Sequence, residues 1–172
     1  MNYATMRPLG LIRTQHADGS PRLFEVKCET ETVMRGRKWH FMVRPVLPAD
    51  DSGESYYATL AESGDDMAQV ETTWNHLPEP FHKSGISRAL FPRAATLLGR
   101  TVRSSRNPAP SSSISGIIGG VKVTFEQVEE TLSEPARRVW ERLVRDGLAT
   151  YDPDTDRFYC PPGQAAFDRG DA

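Results

Sequence analysis

The chain has 172 residues, 38% of them apolar, enough to bury one core, so a single domain over residues 1–172 is expected. Twenty-one basic residues against 23 acidic ones give a formal net charge of -2, which excludes the molecule-wide basic field that drives nonspecific binding to nucleic acid or anionic membranes. No apolar run reaches bilayer length and the first residues lack a signal-type apolar core, so a soluble, cytoplasmic protein without a membrane partner is expected.

The first half reads as β structure cut by polar turns. Arg22 to Thr30 alternates Phe24, Val26 and Cys28 with Leu23, Glu25 and Lys27, the period of a half-buried strand. Residues 35–38 form a turn into Lys38 to Leu47, an aromatic and β-branched strand ending near Pro45. Turn formers at 48–55 lead to a strand over 56–62, and a second turn at 63–66 leads to another over 67–77. After Pro80 the period changes. Ile86, Leu90, Ala94 and Leu97 predict a helix that Gly99 stops, with Pro92 an internal kink or break, and residues 100–105 then read as a strand. Strand, glycine turn, helix and strand make a βαβ unit.

The Pro-, Ser- and Gly-rich stretch 107–120 has the composition of a flexible loop, and 121–132 reads as a short strand running into a helical turn. Ser133 caps a helix striped with Ala136, Val139, Trp140, Leu143 and Val144 and stopped by Gly147. Residues 148–160 close as a hairpin, and the tail after Pro161 is expected to fray. Cys28 and Cys160 lie far apart without metal-knuckle spacing. His16, His40, His76 and His82 show no ligand pattern either, so no metal site is expected.

The residues that carry candidate chemistry are "FHKSGISR", 81–88. A helix N-terminus offers free backbone N–H groups and a positive dipole end, and Gly85 permits a tight turn into it, with Lys83 and Arg88 adding charge. The plain alternative is a Ser84-capped helix start with Gly85 supplying backbone freedom. "FHKSGISRAL" resembles the coenzyme-A pyrophosphate loop of the GNAT acyltransferase superfamily, with His82 at its Arg/Gln position, Gly85 at the first Gly and Ser87 at the second. The order of elements from about Met67 to Tyr159 is similar too, and "VWERLV" has the flavour of divergent phage-type members.

The resemblance implies an α/β (α+β) fold with a mixed, largely antiparallel sheet flanked by helices. It implies acetyl-CoA or another acyl-CoA as co-substrate and acyl transfer to an amine on a small molecule, a protein or a modified base. His82, Lys83, Ser84, Gly85, Ile86, Ser87 and Arg88 would hold the pyrophosphate, and the pantetheine arm would lie between the strands at 67–76 and 100–105. Glu71 or Glu79, with His76 third, would take the proton from the amine. Where many members carry an acidic Tyr, this chain has Trp140, a donor but no useful acid. Two further readings stand beside this one. A C-terminal winged helix would present Arg137, Arg138, Arg142 and Arg145 to DNA, and an inactive domain of the same fold would bind a protein partner.

Overall fold

The computed structural model describes residues 2–106, 112–127 and 132–169. Its main sheet runs β1–β2–β3–β4–β5–β6–β10–β9, and a separate two-stranded sheet pairs β7 with β8. The strands are β1 (Arg7–Gln15), β2 (Pro21–Val33), β3 (Gly36–Leu47), β4 (Tyr56–Glu62), β5 (Met67–Asn75), β6 (Thr101–Arg103), β7 (Ser112–Ile118), β8 (Val121–Gln127), β9 (Thr150–Asp152) and β10 (Arg157–Cys160). Two α-helices, α1 (Ile86–Leu98) and α2 (Glu134–Arg145), accompany them. The fold is mixed α and β with a mostly antiparallel sheet.

Period-two alternation sets the register of β1 to β5. Phe24, Val26 and Cys28 of β2, Trp39, Phe41 and Val43 of β3, and Tyr56, Ala58 and Leu60 of β4 are all buried. Cross-strand pairing places Val26 opposite Val43, Phe41 opposite Ala58 and Trp39 opposite Leu60, so these residues share one sheet face. Helix α1 supplies Ile86, Leu90, Phe91, Ala94 and Ala95 to the same core. The opposite face carries Lys38, His40 and Met42 of β3 with Tyr57 and Thr59 of β4, and no helix among the described residues lies over it. There the N-terminal turn lays the Tyr3 ring between the Lys27 ammonium, 4.1 Å from its centre, and the Arg44 guanidinium, 4.0 Å away.

The βαβ unit read from the sequence is present as β5–α1–β6, with β5 and β6 parallel. Gly85 at φ 68° opens α1 and Gly99 at φ 61° closes it. Pro92 sits within the helix without breaking it. Lacking an N–H, it leaves the Arg88 carbonyl without its helical donor, and its buried ring packs in the core instead. Helix α2 begins as expected at Ser133, whose hydroxyl accepts the Ala136 N–H at 3.3 Å.

Three local expectations change. Strand β1 was missed, because its Pro, Gly and polar residues dilute the alternation. Of the stretch expected to be a flexible loop, 107–111 lies outside the described residues, but 112–118 is a strand paired with 121–127 across a Gly119–Gly120 turn. Turn-forming glycines and β-branched Ile117, Ile118 and Val121 favour a hairpin there over an open loop. The helical turn expected before Leu132 falls largely on 128–131, also outside the described residues. The tail, expected to fray, is held: Leu11 N–H donates to the Asp168 carbonyl at 2.8 Å, Asp168 N–H returns a bond at 3.1 Å, and Phe167 packs on the core.

That clamp needs a glycine. Gly10 lies at φ 134° beside a bulge in β1, and a Cβ there would run into the Asp168 carbonyl oxygen. Gly10→Ala therefore combines backbone strain with loss of the tail clamp. It should cost about 1–3 kcal/mol in unfolding free energy and lower Tm by several degrees, measured by denaturant and thermal unfolding.

Candidate functional site

Strands β5 and β6 are hydrogen-bonding neighbours for only three residue pairs, Met67 with Thr101, Ala68 with Val102 and Gln69 with Arg103. Beyond them the two part. Ser104 is fully buried and turns the chain toward β10: its N–H donates to the Phe158 carbonyl and its Oγ accepts the Phe158 N–H, both at 3.0 Å. Ser105 keeps one bridge across the opening, donating Oγ–H to the Val70 carbonyl at 3.0 Å. At the fork, the Gln69 carboxamide oxygen accepts from Arg103 Nη2 at 3.0 Å and Arg157 Nη1 at 3.1 Å. Two guanidiniums thus fix the point where the strands separate.

The opening is a cleft of about 400 Å³, within the range of small-molecule sites. Val70 to Thr73 of β5 form one wall, Ser105 and Leu132 another, while Ser87 and Phe91 of α1 and Ser133, Ala136, Val139 and Trp140 of α2 complete it. Opposite β4 the register slips at this position: Thr59 faces Thr72 and Leu60 faces Val70. Glu71 is therefore the extra residue of a β-bulge, in a place where bulges free a backbone group and re-aim a side chain. Its carboxylate meets Lys38 Nζ at 2.7 Å, both groups about one-third exposed. Because Lys38 belongs to the helix-free face, Glu71 reaches from the cleft wall to that face.

The cleft floor is aromatic. Trp140 is 1% exposed and lies between Phe91, with ring centres 5.2 Å apart, and Phe158, 6.0 Å away. It belongs to the core and also lines the cleft. On the α1 side the Tyr56 and Ser87 hydroxyls are 2.6 Å apart. Burial pushes the Tyr56 phenol from 10.0 up to about 12, against the opposing effect of hydrogen bonds from Ser87 and Thr73.

The loop before α1 is bent by two left-handed residues, Lys83 at φ 57° and Gly85 at φ 68°. Ser84, expected to cap the helix, does not. Its hydroxyl is buried and without a partner among the described residues, and Gly85 occupies the cap position. The His82 ring is exposed but donates Nε2–H to the Leu77 carbonyl at 2.7 Å, which ties the loop down. Arg88 pairs with Asp146 beyond the end of α2 at 3.1 Å, so its charge already has a partner. The candidates thus separate: Glu71 and Ser87 line the cleft, 82–85 form the turn before α1 with Ile86 its first, buried residue, and Glu79 is exposed on the 3-10 turn Glu79–Phe81 outside the cleft lining. His76 is exposed and lies against the rings of Trp74 and Tyr57.

Reasoning from the sequence missed the fork residues Gln69, Ser104 and Ser105, and also the bulge. The available signal was the pair of serines directly after a three-residue strand, where a regular strand would continue with apolar residues. Among the described residues no group of three or more His, Cys, Asp or Glu gathers to hold a metal, and no helix is long and apolar enough to cross a membrane. Comparisons with protein-family models, curated proteins and solved structures find no match.

Tyr56 offers a test of this packing through pH. Its proton is held more tightly in the folded chain, so the associated stability is complete below pH 10.0 and is lost as pH rises toward about 12. A buried phenol shifted this far contributes about 2–3 kcal/mol to that fall. Tyr56→Phe should flatten the alkaline decline in unfolding free energy by one proton's worth. Cys28 and Cys160, whose thiols burial also pushes up to about 12, and Tyr3, whose phenol is raised by burial and its bond to Glu25, should supply much of the decline that remains.

Proposed function

We propose that the cleft binds an acyl-coenzyme A and that the protein transfers the acyl group to an amine, in the manner of a divergent GNAT acyltransferase. The observation that carries this reading is the fork: a parallel strand pair that parts into a cleft, with a bulge on one wall and a helix N-terminus at the mouth. A thioester arm is long, narrow and rich in amide groups. Parted strands suit it, because each leaves backbone donors and acceptors that no neighbouring strand has taken.

The roles follow from position. The first turn of α1, residues 85–88, presents N–H groups without acceptors among the described residues, and it would receive the pyrophosphate with the buried Ser84 hydroxyl beside it. Lys83 is exposed and available for phosphate, whereas Arg88 would first have to leave Asp146. The bulge at Glu71 takes a backbone N–H out of the ladder, where it would meet the thioester carbonyl oxygen as negative charge develops. The amine nitrogen would attack that carbonyl carbon while Glu71 accepts the amine proton. Collapse of the adduct breaks the C–S bond, and the thiolate leaves to be protonated by water, since Trp140 has no proton to give at neutral pH. Glu79 has no place in this scheme.

One alternative weakens on geometry and the other does not. The winged-helix reading needs a helix where β8 runs, and its wing strand β10 is hydrogen-bonded into the main sheet. On its recognition helix Arg137 and Arg138 are paired with Glu141 and Glu134. A binding-only domain shares the same fork and differs in turnover alone.

Two measurements decide. Millimolar coenzyme A should raise Tm by several degrees through mass action, and no shift would overturn the reading. Glu71→Gln should keep that shift yet lower acyl transfer at neutral pH roughly 10²–10⁴-fold, the range for loss of a general base. Unchanged turnover would remove Glu71 from the mechanism, and a cofactor-induced shift with no turnover on any amine would leave a binding domain.

A further inference from the structure

The helix-free face of the sheet carries an aromatic group that neither the core nor the cleft uses. Trp74 of β5 is 57% exposed, an unusual position for the residue type that contributes most apolar area on burial. Cross-strand pairing places it directly opposite Tyr57 of β4. His76 lies nearly parallel to the indole, with 6° between planes and centres 6.1 Å apart, and meets the Tyr57 ring edge-on at 5.8 Å. Three rings thus form an open platform.

The loop joined to it is acidic. His76 N–H donates to the Ser55 carbonyl at 3.2 Å, which joins the platform to the end of the β3–β4 loop. That loop carries Asp50, Asp51 and Glu54, the last two exposed, and none of the three is ion-paired among the described residues. Arg44, the nearest cation on the adjoining strand, is engaged by Ser55 Oγ at 2.8 Å and by the Tyr3 ring. Aromatic faces beside unpaired carboxylates attract an organic cation. The ring quadrupoles and the acidic loop favour the same sign of charge.

The platform also lies in register with the cleft. Trp74 and Thr72 share the helix-free face with Tyr57 and Thr59, and the bond to Lys38 brings the Glu71 carboxylate to that face as well. From Glu71 to Trp74 is three residues of strand, roughly 10 Å at about 3.3 Å per residue. We propose that the acyl acceptor is a small aliphatic polyamine, with one ammonium seated on the Tyr57–Trp74–His76 platform beside Asp51 and Glu54 while its far amine reaches Glu71 at the cleft. The proposal rests on the acyl-transfer reading for the second half of that statement and on the platform alone for the first.

The probe is 1,8-diaminooctane, whose nitrogens span about that length when extended, and its control is 8-amino-1-octanol, which replaces the distal ammonium with a hydroxyl. Without acyl-CoA, the diamine should perturb indole fluorescence in the intact chain and the aminoalcohol should not. Trp39 and Trp140 are buried, so Trp74→Phe should remove most of that signal. With acetyl-CoA and thiol release as readout, the diamine should have a KM about tenfold below the aminoalcohol's. Trp74→Ala and the double variant Asp51→Asn/Glu54→Gln should each erase most of that preference while leaving kcat for the aminoalcohol within about twofold. Equal KM values for the two probes in the wild type, or a preference that survives both variants, would overturn the proposal while leaving acyl transfer intact. So would binding of a neutral nucleoside to Trp74 with none of the diamine. Diamine binding that depends on Trp74, with no thiol release from any variant, would sustain the amine site and overturn the acyl-transfer reading.

Discussion

The cleft depends on a parallel pairing that stops after three residues. A parallel pair of ordinary length would keep β5 and β6 bonded to their ends and leave no space between them. Here the Gln69 carboxamide is gripped by Arg103 and Arg157, which fixes the last paired rung. Directly afterwards Ser104 exchanges hydrogen bonds with the β10 backbone and draws the chain away from β5. The separation is held from both ends, because the Ser105 hydroxyl spans to Val70 and stops the gap from widening at its base. A buried backbone carbonyl without a partner costs on the order of 1–3 kcal/mol, so that one side-chain bond removes the main penalty of parting the strands there.

Much of this architecture was legible and the decisive part was not. Strands with strict alternation, such as β2 and β3, and helices with a cap and an apolar stripe, such as α2, announce themselves because local period and burial coincide. The βαβ unit was visible from its glycine turn and the change of period after Pro80. The fork was hidden for a physical reason. It is made by hydrogen bonds between residues far apart in sequence, Gln69 with Arg157 and Ser104 with Phe158, and no local pattern records which polar side chain will replace a ladder bond. The bulge at Glu71 is equally silent, since one extra residue changes register without changing composition. Strand β1 and the tail that bridges to it escaped notice together: each supplies the other's missing hydrogen bonds, and neither looks regular alone.

The stretch 82–88 has the expected glycine turn at a helix start, with side chains engaged otherwise than expected. Gly85 does hold a left-handed turn at a helix start, yet the side chains around it are occupied: His82 ties the loop to Leu77, Arg88 pairs with Asp146, and Ser87 meets Tyr56. What remains uncommitted is the backbone of the first helical turn, the buried Ser84 hydroxyl and the exposed Lys83. An anion held there would be held mainly by fixed dipoles. Such a grip needs little side-chain ordering on binding, and its strength is set by how firmly the turn is built.

That firmness is purchased from the core. Ser87 bonds to a phenol anchored on β4, Ile86 and Leu90 pack under the sheet, and Phe91 stacks on Trp140, which in turn lies against Phe158 of β10. The strand that β6 follows away from β5 is thus the same one whose aromatic ring supports the helix at the cleft mouth. Widening the fork would move β10, and with it the stack that positions α1. Replacing Trp140 by a smaller tyrosine would place an ionisable hydroxyl at the cleft but thin this support, so the chain holds its aperture with a side chain that has no proton to give at neutral pH. In the proposed acyl transfer, a cleft built this way favours positioning over proton transfer on the leaving-group side, where water can act and an indole cannot.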